Sequence, residues 1–123
     1  MSTHINDLAS AAVVSAGLNP TVLSSSVNGS SVDLGNGDGP CFAIQHIGDL
    51  DDEGTLDGKV QESADGSSWS DISGATFTQV DAANDLQVIR FTRTKRYLRW
   101  VGTIDGTPLF TVAVAIGSLK KTF

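Results

Sequence analysis

A single cysteine, Cys41, excludes an internal disulfide and any cysteine-based metal cluster. The two histidines, His4 and His46, stand far apart, so a dedicated zinc site is not expected either. No apolar run reaches the length needed to cross a bilayer, and no basic segment follows Met1 as a secretory signal would require. The expectation is a soluble protein made in a reducing cytoplasm, with neither a membrane nor nucleic acid as partner. Proline is scarce, at 3 residues, while glycine reaches 13, a balance that suits many turns in an all-β chain. No Ser/His/Asp or Cys/His arrangement has a supporting motif, and Cys41 within a strand reads as a small buried hydrophobe. Neither an enzyme nor a cofactor is expected.

What is present fits one folded domain. The 123 residues are 40% hydrophobic and 18% charged, and a chain of this length buries roughly two-thirds of its unfolded surface in a single core. The net charge of −6 hides a segregation. Residues 1 to 89 hold every acidic side chain but Asp105, with Lys59 as their lone basic residue, and the other basic residues begin at Arg90. Two such poles suit head-to-tail or subunit-to-lattice contact, unless the strands fold the poles together and neutralise them.

Strand periodicity organises the chain from about residue 30. Ser31 to Leu34 is a short strand, and Cys41 to Ile47 sets a large apolar face (Phe42, Ile44) against a small or mixed one, with His46 at its rim. Val60 to Ser63 leads into Ala64–Ser68, where Gly66 supplies positive φ and Asp65 hydrogen-bonds its own backbone; Trp69 then returns to the core. Ala75 to Val80 and Leu86 to Phe91 follow, the latter apolar on both faces. Arg96 to Ile104 points Leu98, Trp100 and Ile104 inward. Asp105-Gly106 predicts a tight hairpin into Leu109–Ile116, a run apolar on both faces that reads as a central strand or as one meeting another subunit. Seven or eight short strands with Gly/Asp turns predict an all-β fold, an antiparallel β-sandwich of jelly-roll or related topology. Residues 1–29 stand apart as an N-terminal arm, extended or weakly helical in spacing, ahead of a sandwich domain over 30–123.

Two loops invite ligands. The glycines between Gly35 and Pro40 lack the Lys-Ser/Thr and the following helix that a phosphate loop needs. Asp49, Asp51, Asp52 and Glu53 are the place where calcium would bind, but their spacing departs from the twelve-residue calcium loop and reads as a solvated hairpin loop.

Lys59 to Ile72 (KVQESADGSSWSDI) and Thr94 to Gly106 (TKRYLRWVGTIDG) together resemble the β-sandwich decoration, or cement, proteins of tailed-phage heads, over roughly residues 30 to 121. The shared pattern is a QES-DG-W-I turn, an RYLR strand, a hairpin and a final Ala/Val-rich strand. The resemblance implies a virion protein, made in the host cytoplasm, that binds the outer surface of the major capsid protein lattice and stabilises the expanded head. It also implies self-association, with a trimer preferred to a dimer. Under it, Ile5, Leu8, Val13, Val14 and Leu18 of the arm and the basic Arg93, Lys95, Arg96 and Arg99 would contact shell or sister subunits. The same turn and strand also resemble galactose-binding-like and discoidin-type carbohydrate modules. This chain is shorter than those, lacks their cysteine pair and has no secretory signal. Another phage head or tail structural role is a further reading.

Overall fold

Strand residues alternate between core and solvent, and that alternation builds two sheets facing each other across one apolar layer. A computed structural model of the chain describes residues 12–35, 39–51 and 53–119. The strands are β1 (Ala12–Leu23), β2 (Val27–Asn28), β3 (Val32–Asp33), β4 (Gly39–Asp51), β5 (Gly54–Ser63), β6 (Ser70–Thr76), β7 (Asp85–Arg93), β8 (Tyr97–Gly106) and β9 (Leu109–Leu119). Sheet A has the order β1-β9-β4-β7, and sheet B runs β2-β8-β5-β6 with β3 also on β8. Every pairing is antiparallel.

β2 and β3 are two pieces of one interrupted edge strand along β8, pairing at Gly102–Val101 and at Leu98–Tyr97. Counted so, each sheet has four strands. The chain changes sheet at every connection except the β5–β6 hairpin. That is jelly-roll topology, as the sequence predicts.

The core is built from Trp100, Leu98, Leu56 and Val60 of sheet B against Phe110, Val112, Val114, Ile116 and Ile47 of sheet A, all essentially inaccessible to water. β9 lies between β1 and β4, the central position its two apolar faces imply. One polar pair crosses the layer: Trp100 Nε1 donates to Gln45 Oε1 at 3.0 Å. An indole N–H can only donate, so this bond fixes the amide's orientation. Gln45 Nε2 is left without an acceptor among the described residues.

The structure corrects the sequence reading in several places and supplies what it left open. Ala12–Leu23 is not an arm or a helical segment but an edge strand of sheet A, in register with β9 from Ala12↔Leu119 to Leu23↔Phe110. The β-branched Val13, Val14, Thr21 and Val22 fit a pleated ladder better than a helix. The sandwich therefore begins before residue 30; residues 1–11, with Ile5 and Leu8, lie outside the described residues.

Asp105-Gly106 closes no hairpin. β8 pairs with β5, and β9 pairs with β1 and β4, so this turn carries the chain between sheets. Gly106 takes φ 94° and the buried Pro108 packs so closely on Gly54 that a Cβ there would lie 2.4 Å from its ring. A local Asp-Gly cue fixes a bend; what the next strand pairs with is decided by the core.

β4 turns its small side inward. Cys41, Ala43, Gln45 and Ile47 are buried, while Phe42, Ile44 and His46 point outward. Opposite Gln45 the core is filled by the bulk of Trp100, so smaller residues fit on this side of β4. Outside, glycine makes the room: Phe42 lies over Gly117, where a Cβ would come within 2.3 Å of its ring.

Trp69 does not return to the core. It is half-buried on the outer side of sheet B, beneath the Arg99 guanidinium. A smaller shift concerns β6, which spans Ser70–Thr76 and not Ala75–Val80. Phe77 and Val80 are nevertheless buried, tied by Phe77 N to Gly58 O and by a Leu56–Val80 bridge.

Candidate functional site

The surface of the described residues divides into two outer sheet faces and two ends. The outer face of sheet B is polar and cross-braced. Arg99 on β8 donates through Nε and Nη2 to Gln61 Oε1 at 3.0 and 2.8 Å, and its guanidinium stacks 4.5 Å from the Trp69 ring. Gln61 Nε2 in turn donates to Asp71 Oδ1 at 2.8 Å, and Lys59 Nζ lies 3.0 Å from the same oxygen. Those bonds, from Gln61 first and then Lys59, hold the Asp71 carboxyl below its ordinary range.

The loop beside this face behaves as its residues predict. Gly66 takes φ 79°, and Asp65 Oδ1 accepts from the backbone N–H of Ser67 and Ser68 at 2.8 and 3.0 Å. These two donors, with the Ser63 hydroxyl, bring the Asp65 carboxyl down to about 2.

Three basic residues, Arg93 at the end of β7 and Lys95 and Arg96 in the turn before β8, gather at one end, and each has a distinct role. Arg96 makes a two-pronged bond to Asp33, at 2.7 and 2.8 Å, while lying over Tyr97. Lys95 Nζ donates to Ser70 Oγ at 3.3 Å. Arg93 is a correction to the sequence reading: it is only 6% exposed, and its guanidinium donates to the carbonyls of Gly35, Lys95 and Leu34. It braces the 33–35 segment and is not free to meet a partner. Nearby Glu62 is also turned in, its carboxylate accepting from Thr94 N and Oγ1 at 2.9 and 3.0 Å.

The Asp33–Arg96 pair gives a pH prediction. The Arg96 hydrogen bond comes first, and the Gly35 N–H second, in lowering the Asp33 carboxyl from 3.8 to about 2. A depressed carboxylate stabilises the fold above its unfolded value and loses that contribution as pH falls from about 3.8 toward 2. Arg96→Ala should move the Asp33 titration up toward its ordinary value, as read by NMR of the side-chain carboxyl. An unmoved titration would show that the pair is not formed in solution.

No family model matches the chain, and no curated protein is similar enough to count as a relative. The site must therefore be judged on its own geometry.

Sheet A presents the contrasting face. Phe42, Ile44 and His46 of β4 stand outward between Arg90, Val88 and Leu86 of β7 and Gly117, Ala115 and Ala113 of β9. Leu86 and Val88 are 65% and 59% exposed. A shallow, mostly apolar groove of about 370 Å³ runs between β1 and β4, lined by Leu18, Pro20, Ile44, His46 and Ala113 among others. Leu18, expected at an interface, is thus on this face and half-buried; Val13 and Val14 lie on β1, with side chains outside the described residues. The sequence carries the signal of this face in β7 and β9, each apolar on both sides of one strand, and the reading of β9 as a strand meeting another subunit points to it.

The acidic end gives no metal cradle. Among the described residues no group of three or more His, Cys, Asp or Glu side chains could hold a metal ion; Asp52 lies outside those residues. Cys41 is buried, and burial pushes its thiol up, away from the thiolate that a nucleophile needs.

Proposed function

We propose that this protein is a virion component, a head decoration protein that binds the outer surface of a tailed phage's major capsid protein lattice and stabilises the expanded head. The observation that carries the reading is the outward apolar face of sheet A on a domain whose core is already complete. Contiguous exposed apolar surface on a closed domain marks a place where other proteins bind. The resemblance of Lys59–Ile72 and Thr94–Gly106 to cement proteins supplies the kind of partner. The jelly roll is a fold that capsid and lectin domains share, so fold alone favours neither.

On this reading the protein does no chemistry. It adds binding energy across seams between capsid subunits, and many copies on one shell turn a weak contact into firm attachment. The apolar face of sheet A, the accessible basic residues Lys95, Arg96 and Arg99 and the residues ahead of β1 make the contacts with the shell and with sister copies. A glycan-binding role is the second reading, favoured by Trp69, Arg99 and Tyr97 grouped on the sheet B side.

Purified protein mixed with expanded, empty heads from the same source is expected to bind and to saturate at a fixed number of copies per shell. Failure to bind, with retention on a glycan array, would replace the decoration reading by the lectin one. Deleting residues 1–11, which stops short of β1, is expected to weaken attachment and keep the fold. Cutting to residue 20 would remove most of β1 and so would test the fold instead.

A further inference from the structure

We infer that the slot β1 fills along β9 is a binding site for a detachable strand, and that the partner fitting it is β1 of a second copy of this chain. Two copies trade the strand reciprocally. The swap gives the self-association in the reading above a physical route but needs no shell, so the two can fail separately.

β1 is lightly held. It lies at the edge of sheet A, where β9 is its ladder partner among the described residues. That ladder shifts register twice, between Ala16 and Leu18 and between Leu18 and Thr21, and Pro20 has no N–H to give it. From Ser15 to Leu23 only Gly17 and Leu23 are buried. A glycine brings no side chain, so the core grips this stretch through Leu23 and, in part, Leu18. Toward sheet B the strand is fastened by Ser30 N, which donates to Gly17 O at 3.0 Å. Few buried side chains and a broken ladder mark a segment that opens ahead of the rest of the fold.

The hinge allows the strand to leave, and the slot does not stay empty. Ser24 and Ser25 are exposed bends, and the chain is fastened again at Ser26, whose Oγ accepts from Ile104 N at 2.9 Å. Straightening this short hinge carries β1 away from its own sandwich while β2 stays on β8. β9 is then an edge with a row of unpaired N–H and C=O groups, a template for another strand. Its inward residues Phe110, Val112, Val114 and Ile116 are all buried in the closed molecule, so opening wets apolar surface that a returning strand covers again.

The slot is shaped for one sequence. Ile116 leans across the place where β1 passes: a Cβ on Gly17 would stand 2.9 Å from its Cδ1 and 3.1 Å from its Cγ1. Gly29 presses on the same point from sheet B, where an added Cβ would come within 2.4 Å of Gly17 O. An occupant therefore needs a glycine at that point, with a step in register beside it. β1 meets these demands, and a second copy supplies an identical β1. Reciprocal trading fills both slots and closes at two copies, so it builds no fibre. The product is a dimer, not the trimer that the resemblance implies, and it uses neither outer sheet face.

The test uses the full chain in solution. In hydrogen–deuterium exchange read by NMR, the bonded amides of β1 and the alternate amides of β9 that face it should exchange as one group. Their rate should be roughly 10-fold or more above that of the β9 amides that face β4. Swapping itself is read with A16C and A115C, at facing positions of β1 and β9, made as separate chains. Buried Cys41 does not compete. The two are mixed at high concentration, warmed below the unfolding midpoint and mildly oxidised. Pairs linking A16C to A115C should then outnumber same-variant pairs several-fold, because swapping sets these two positions opposite each other. β1 amides as slow as those between β9 and β4, or mixed pairs no commoner than random collision gives, would each overturn the inference. A chain that does not swap yet saturates expanded heads would sink the swap alone; a swapping chain that ignores them would sink only the shell reading.

Discussion

Trp100→Ala is expected to cost about 3–5 kcal/mol from lost packing and the cavity left behind. Trp100 is the largest fully buried side chain and stands on β8, inside sheet B, with its indole bonded to Gln45 of β4. Its removal has a second effect. Gln45 loses the donor at Oε1, so a buried amide that already has an unpartnered Nε2 loses its remaining bond. An orphaned buried polar group costs a further 1–3 kcal/mol, roughly. Since a domain of this size holds only about 5–15 kcal/mol in all, urea denaturation should find the variant close to unfolded in water. Trp100→Phe combined with Gln45→Leu should be far milder than the single changes suggest, because it removes both polar partners together. Equal losses from the double variant and from the sum of singles would show that the cross-layer bond has no energetic role.

Gly58→Ala is expected to be nearly as damaging, although it adds one methyl. A Cβ at position 58 would stand 2.0 Å from Gln45 Oε1 and 2.7 Å from Trp100 Nε1, inside the bond that joins the sheets. Overpacking a tight core costs roughly 1–3 kcal/mol, and displacing the amide breaks its bond to the indole, worth about another 1–3 kcal/mol when the groups stay buried. Strain at the backbone is not the cause, since Gly58 is not among the glycines with positive φ. The decisive comparison is Gly58→Ala with Gln45→Ala: shortening Gln45 removes the obstruction, so the second change should recover part of what the first loses. A double variant less stable than the two losses added together would refute this account of the site.

These sites show which parts of the fold could be read in the sequence. β8 and β9 were legible because strict alternation names the buried residues directly, Leu98 and Trp100 in one, Phe110 to Ile116 in the other. The loop at Asp65–Gly66 was legible because its conformation is set by its own side chains. The inward face of β4 was not. Phe42 and Ile44 are larger than Ala43 and Gln45, yet the space beneath them is set by Trp100 and Gly58, far away in sequence. Arg93 was misjudged for the same reason, as the carbonyls that bury its charge come mainly from residues 34 and 35. The interface expected in the arm and the basic strand is only partly assembled: Leu18 belongs to the sheet A face, and Lys95, Arg96 and Arg99 cluster away from it. Charge order along the chain showed two poles, but strand directions that no local signal gives gather Asp49, Asp51, Asp85 and Asp105 at one end and bring Asp33 and Glu62 to the end that holds Lys95 and Arg96.

The central claim is that the protein acts through its outer surfaces, as a rigid sandwich seated on an assembled shell. A cryo-EM map of particles from the same source tests it most directly. Density for the sandwich is predicted on the outside of the shell, at repeated lattice positions, with basic side chains toward the capsid subunits. Mature particles that carry no copy, from cells in which the protein is abundant, would contradict it.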